Sequence, residues 1–293
     1  MALLADLRKR LVRMNRGELA HLPPDGRGDP EPPPAQSAPL ASPTTAVACP
    51  PWHGALPGQE RSGSGGTYHF ISRRLADVSP ILSTVSGAYA SLWHRQHPGP
   101  DGTAEQALHP ELSRLLADHP SDICFIDIET TGLSSCPLFL IGCMWLDGEG
   151  LAAHQFFART YAEEVAILEE AVAFLGRFGH LVSFNGKSFD VPFMNDRCAY
   201  HRLPLVPFNH HVDLLHHARR RYRNHLPNCK LQTLECYVCG RTRVNDVPGA
   251  LIPEIYHRYV KDGNPQPIAP IIHHNLLDLV TMVELLGKIA KGA

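Results

Sequence analysis

The sequence predicts a mixed α/β layer fold, and three observations point to it. Strand-like apolar runs alternate with helix-like stripes after about residue 120. A tight-turn cluster, Asp147-Gly148-Glu149-Gly150, separates two of the runs. The chain is 44% hydrophobic, enough to bury a sizeable core. In order, Ile123 to Glu129 reads as a buried strand, ended by Thr130-Thr131-Gly132. Leu138 to Leu146 and Leu151 to Ala158 read as two strands of an antiparallel hairpin. Thr160 and Glu163 form a capping-box signature, opening a helix with Val165, Leu168, Val172 and Leu175 on one stripe. A short strand, His180 to Phe184, breaks at Asn185-Gly186. Helices are expected from about Ser188 to His201 and from about Asn275 to Ala290.

The N-terminal part is of another kind. Residues 1–20 carry Leu3, Leu4, Leu7, Leu11 and Val12 at helical spacing among five positive side chains, which predicts a short basic amphipathic helix. Residues 21–66 hold 11 of the 26 prolines and close on Ser62-Gly63-Ser64-Gly65-Gly66, a composition expected of a disordered linker. Residues 67–117 are expected to form an N-terminal extension of the main domain, residues 118–293, with Leu112, Leu115 and Leu116 on a helical turn or two. With 27 Lys+Arg against 29 Asp+Glu, the global field is close to neutral, so a polyanion must be met by a local basic patch. The longest uncharged apolar run, Pro137 to Leu146, has ten residues against the roughly 20 that a membrane span needs. Eight cysteines without small-domain spacing read as reduced thiols. These features lead us to expect a soluble, cytoplasmic protein without membrane contact.

The chemistry-bearing residues are acids in apolar settings. Asp127 and Glu129 are two apart on one strand, so their side chains share a face. Two anions on a buried strand repel each other unless a cation lies between them. They stand at the strand's C-terminal end, where open α/β sheets place ligands. Asp190 falls in the first turn of a helix, and Asp278 interrupts the apolar run Leu276-Leu277-Asp278-Leu279-Val280 with His274 one turn before it. Hard oxygen ligands of this kind suit Mg²⁺ or Mn²⁺.

Phe125-Ile126-Asp127-Ile128-Glu129-Thr130-Thr131-Gly132-Leu133 resembles the first motif of the DEDD 3′–5′ exonucleases of ribonuclease H-like fold. The second and third motifs are resembled by Leu181-Val182-Ser183-Phe184-Asn185-Gly186-Lys187-Ser188-Phe189-Asp190 and by His273-His274-Asn275-Leu276-Leu277-Asp278. The YprB-type subfamily is closer, through Cys229-Lys230-Leu231-Gln232-Thr233-Leu234-Glu235 and Asp246-Val247-Pro248-Gly249-Ala250-Leu251-Ile252-Pro253. The resemblance spans about residues 120–290, with its motifs in order. It implies a two-metal phosphodiesterase acting on single-stranded 3′ ends of DNA or RNA, with two Mg²⁺ or Mn²⁺ ions held by Asp127, Glu129, Asp190 and Asp278. His274 would be the general base by the His-Asn-x-x-Asp pattern, or His273 if it reaches in from a loop before the helix. A non-catalytic nucleic-acid-binding module of the same fold and a structure-specific endonuclease are the rival expectations.

Asn185 and Thr130 are candidates for substrate contact, and Asn185 also suits a turn at a strand end. Gly186-Lys187-Ser188 ends like a phosphate-binding loop, but Leu181 stands where that loop needs glycine. Cys236-x-x-Cys239 resembles half a zinc site, yet no second pair follows and the segment reads as a packed helix. The paired histidines His210-His211 and His216-His217 read as surface or packing residues. Residues 201–245 carry eight basic residues, including Arg219, Arg221, Lys230, Arg241 and Arg243, against Asp213 and Glu235. That excess fits either a phosphate-contacting rim or a solvated face.

Overall fold

The computed structural model describes residues 45–48, 56–94 and 108–291. The expected basic amphipathic helix at residues 1–20 and most of the proline-rich stretch at residues 21–66 fall outside the described residues. Seven strands form one mixed sheet in the order β2-β3-β6-β5-β4-β7-β8. These are β2 (Gln59–Gly63), β3 (Gly66–Arg74), β4 (Ile123–Thr130), β5 (Leu138–Asp147), β6 (Gly150–Phe157), β7 (His180–Ser183) and β8 (His210–Asp213). From β2 to β4 every neighbouring pair is antiparallel; β4, β7 and β8 run parallel. Two further strands, β1 (Thr45–Ala48) and β9 (Arg241–Val244), pair parallel to each other in a separate ribbon.

Helices cover both faces, as the alternation of apolar residues demands. On β4, Cys124, Ile126 and Ile128 pack into a core with α4 (Glu164–Leu175), α5 (Asp190–His201) and α8 (Ile252–Asp262). Ile123 and Phe125 point the other way, into a core shared with α2 (Pro80–His94), α3 (Pro110–Ala117), α6 (Leu214–Tyr222), α7 (Leu231–Tyr237) and α9 (Ile268–Ala290). A one-turn helix, α1 (Leu75–Val78), links β3 to α2. Central β5 is buried along most of its length, which its unbroken apolar run Leu138 to Leu146 requires. At 23 residues, α9 is the one described helix long and apolar enough to cross a membrane, and most of it is packed inside this fold.

Several boundaries differ from the sequence-based expectations. The expected linker reaches into the sheet, because Gln59–Gly63 pairs with Gly66–Arg74 around the two-residue turn Ser64-Gly65. Gly66 takes φ +117°, and a Cβ on Gly65 would meet Glu169 and Ala166 of α4 at about 3 Å, so this glycine run serves a hairpin lying against a helix. β2 reads as a linker in sequence because it is a polar edge strand. The capping box does not form: Thr160 makes no side-chain cap, and Glu163 accepts instead from the Arg159 amide at 2.8 Å and from its guanidinium. The last helix starts at Ile268, seven residues before Asn275. Pro270 sits in its first turn, where a missing N–H costs nothing.

The approach of α9 to the sheet sets up the site. Asp127, Gly142 and Gln155 are register partners in a row across β4, β5 and β6. Asn275, fully buried on α9, spans that row: its Nδ2 donates to Asp127 Oδ2 at 2.8 Å, and Gln155 Nε2 donates to Asn275 Oδ1 at 2.8 Å. A Cβ on Gly142 would collide with the Asn275 amide and come within 2.9 Å of Leu279. Replacing Gly142 with Ala is therefore expected to lift α9 and lower stability by about 1–3 kcal/mol. Urea unfolding reads this directly, and an unchanged midpoint would show that α9 is not pinned there.

Candidate active site

The C-terminal ends of the three parallel strands β4, β7 and β8 meet at one edge of the sheet. Asp127 and Glu129 leave the end of β4 on the α9 side and keep a narrow exposed edge. The β4–β5 register shifts between Glu129 and Thr130, a bulge at the point where the strand meets the site. Asp190 opens α5 and is 5% exposed. The turn before it depends on Asn185, which takes φ +67°, a left-handed conformation that Asn tolerates. The Asn185 carbonyl accepts from the amides of Ser188 and Phe189, both at 3.1 Å. Buried Asp213, at the end of β8, accepts from the amides of Asn185 at 2.8 Å and Lys187 at 3.1 Å, and caps α6 through Leu215. It holds the loop that delivers Asp190.

Asp278 and His274 lie one turn apart on α9. One His274 ring nitrogen, Nδ1, lies 2.8 Å from Asp246 Oδ1, and the other, Nε2, lies 3.4 Å from Asp278 Oδ2. Arg243 Nη2 pairs with Asp278 Oδ1 at 2.5 Å, while its Nε pairs with buried Glu235. His273 is different. The helix is already formed at this position, so His273 does not enter from a loop, and its two ring nitrogens are buried without a hydrogen-bond partner.

The acids share one electrostatic field. Burial raises the Asp127 carboxyl well above its usual range, and Asp278, Glu129 and Asp190 push it further. Glu129 is raised to about 8, by burial first; His274 opposes this and Asp278 and Asp190 add to it. Burial lifts Asp190 to about 7, against backbone hydrogen bonds from Asp190 and Ile128, with Asp213 and Asp278 adding to the rise. Burial would lower His274, but the Asp246 hydrogen bond and the fields of Asp278 and Glu129 overcome it and raise it to about 9. His273 is lowered to about 4, mainly by burial and then by Arg73 and Arg243.

The structure thus places Asp127, Glu129, Asp190, His274 and Asp278 in one electrostatic field, while His273 turns its ring into a buried setting without a hydrogen-bond partner. Thr130 turns its hydroxyl to the Gly132 carbonyl at 2.6 Å. On the α6–α7 surface, Arg219 and Lys230 are exposed and Arg221 is half-buried. The basic excess of residues 201–245 is smaller at the surface than the sequence suggests. Arg241 and Arg243 turn inward, onto Glu235 and Glu284 and onto Glu235, Asp246 and Asp278 respectively. Cys229, Cys236 and Cys239 are free thiols. Sequence reasoning did not single out Gly142, Asp213 or the roles of Asn275, Asp246 and Arg243. Two of these, Asn275 and Asp246, stand inside motifs it quoted, so an unpaired polar residue within a motif was the available signal.

Asp127, Glu129 and Asp190 have raised pKa values in a field to which Asp278 contributes, a crowding of oxygen donors that a divalent cation would relieve, so the four acids fit Mg²⁺ or Mn²⁺ by charge and donor type. Residues 124–290 match the RNase_H_2 family, described as RNase_H superfamily, and the chain belongs to that superfamily. The uncharacterized protein YprB of Bacillus subtilis (strain 168) is 31% identical over 176 residues, 58% of this chain and 42% of that protein. The chain therefore spans less than half the length of this relative. Among solved structures, the family B DNA polymerase from the hyperthermophilic archaeon Pyrobaculum calidifontis aligns with a TM-score of 0.46 at 16% identity, over 58% of this chain and 27% of the polymerase. Superfamily membership supports a nuclease-like function.

The charge balance predicts a pH dependence of stability. Between pH 7 and 9 the native protein retains protons on Glu129 and His274 that the unfolded chain has released, so stability falls as pH rises. Histidines held near 4, such as His154 and His273, act with the opposite sign, but only below about pH 6.5. Thermal unfolding in chelator is expected to show a midpoint that declines across pH 7–9, with a shallower decline in Glu129→Gln. A midpoint that rises over this range would contradict the carboxylate field.

Proposed function

We propose that the chain is a metal-dependent 3′–5′ exonuclease that hydrolyses phosphodiester bonds of DNA or RNA, with Asp127, Glu129, Asp190 and Asp278 as the ligands of two Mg²⁺ or Mn²⁺ ions. The observation that carries this reading is the shared field of four acids, from β4, α5 and α9, at one largely buried end of the sheet beside a histidine already oriented by a second carboxylate. When bound, the cations supply charge neutralisation and Lewis-acid polarisation of a phosphodiester. The rest is work for the chain's own side chains. Asn275 holds Asp127 Oδ2, leaving the other oxygen for a ligand. Asp246 fixes the His274 ring through Nδ1, which directs Nε2 toward Asp278 and the opening. There His274 would take a proton from the attacking water. Its raised pKa reflects the Asp246 hydrogen bond first and then the fields of Asp278 and Glu129, so neutralising those two acids returns the ring part of the way toward its basic form. Arg219, Arg221, Lys230, Asn185 and Thr130 are proposed to contact the nucleic acid, the first three through its phosphates. The site is proposed to work on single-stranded 3′ ends in the cytoplasm.

A second reading, a nucleic-acid-binding module without turnover, draws on one specific observation. Arg243 already neutralises Asp278 at 2.5 Å, so the fourth acid carries its own cation. End-labelled DNA and RNA oligonucleotides, incubated with Mg²⁺, Mn²⁺ or EDTA, separate the readings. The exonuclease reading expects a metal-dependent ladder from the 3′ end, lost in Asp127→Asn. Binding without any ladder decides for the second reading, and cleavage of circular substrates decides for an endonuclease.

The His274 assignment makes its own predictions. His274→Ala is expected to lower kcat by about 10²–10⁴-fold. Asp246→Asn removes an anion that raises the His274 pKa, so the acidic limb of the kcat–pH profile should move to lower pH. A profile unmoved by Asp246→Asn would remove His274 from the proton-transfer role.

A further inference from the structure

The four acids are not the tightest gathering of metal donors among the described residues. That gathering is His109, Glu111 and His217, whose ligand atoms all lie within 4.8 Å of one another. It joins two distant parts of the chain. His109 and Glu111 stand at the start of α3, before the superfamily match begins at residue 124, and His217 lies on α6. His217 is 5% exposed, and its Nε2 lies 2.8 Å from Glu111 Oε2. The two imidazole rings meet edge to face, with centroids 4.9 Å apart. The other Glu111 oxygen, Oε1, is taken by Lys187 Nζ at 2.5 Å. His109 is only weakly engaged elsewhere, since Nδ1 accepts from the Glu111 amide at 3.3 Å.

We infer that His109, Glu111 and His217 form a transition-metal site of zinc type, separate in residues and donor chemistry from the carboxylate cluster. Two imidazoles and one carboxylate form a three-ligand set typical of Zn²⁺ with a fourth position open to water. Nitrogen donors also discriminate against Mg²⁺, which the all-oxygen cluster suits. The Lys187 contact takes the place that an outer hydrogen bond usually has on a ligating carboxylate: it orients the group and leaves Oε2 facing the two rings. Sequence inspection missed the site because its ligands are 106 residues apart and His109 and His217 lie on separate helical segments. A metal here would clip α3 to α6 and, through Lys187, steady the loop that carries Asp190. The inference does not rest on the exonuclease reading, since its readout is metal binding.

The test uses the full chain, stripped by chelator and dialysed into excess Mg²⁺ to saturate oxygen sites. Titration with Co²⁺ and Zn²⁺ is expected to show one equivalent bound, with cobalt d–d bands and no thiolate charge-transfer band. Affinity should fall at least about tenfold in His109→Ala and in Glu111→Gln, by analogy with the loss of supporting metal contacts. His109 is half-buried and its variant should fold; circular dichroism of the metal-free proteins checks this. In the wild type, Zn²⁺ should also raise the unfolding temperature, and His109→Ala should abolish that rise. No binding, unchanged binding in both variants, or a thiolate band showing capture by Cys229, Cys236 or Cys239 would each overturn the assignment.

Discussion

The docking of α9 onto the sheet is the constraint on which the site depends. Gly142 lacks the Cβ that would hold the helix off, so Asn275 reaches the strand row and joins Asp127 to Gln155. That contact sets the height and rotation of the whole helix. Because His274 and Asp278 ride on the same helix, it also decides how they face Asp127 and Glu129. The row is buried, so each polar group in it needs a partner, and the amide of Asn275 provides one to either side. The strand ends complete the arrangement. Parallel β4, β7 and β8 expose their C-terminal ends together, and Asp213 ties the loop after β7 to the end of β8.

Electrostatics then explains the pairing of the charged side chains. Three carboxylates with raised pKa values cannot all be ionised at neutral pH without a positive partner. Two protein cations stand beside them. Arg243 is buried against Glu235, Asp246 and Asp278, and His274 is held between Asp246 and Asp278. Asp246 contacts both cations, which makes it the hinge of the network rather than a surface acid. A buried ion network of this kind contributes little net stability compared with apolar packing, and its value lies in fixing geometry.

The segment before the superfamily match is part of the same body. The β2–β3 hairpin extends the sheet beyond β6, and α3 lies along β8 and α6. His180 Nε2 and Asp118 Oδ2, 2.5 Å apart, fasten the end of α3 to the start of β7. The N-terminal residues described here thus complete an edge of the sheet and cover the face next to the parallel strands.

Much of the architecture was legible in the chain. The apolar runs at Ile123, Leu138 and Leu151 determined three strands, and the turn at Asp147-Gly148-Glu149-Gly150 determined the antiparallel pairing of the last two, because period and turn chemistry act over a few residues. The alternation on β4 likewise placed Asp127 and Glu129 on one face. Contacts between distant positions were beyond its reach. The Gly142–Asn275 approach, the Asp246–His274 pair, the burial of Arg243 and the meeting of His109 with His217 join residues many positions apart, and no local pattern encodes such distances. The polar edge strand β2 read as a linker for the same reason, since its hydrogen bonds come from β3 and not from its own composition. Side-chain type and spacing therefore decided which groups carry chemistry. Only the packing of helices on the sheet decided which of them face one another, because burial and charge compensation are properties of the folded neighbourhood.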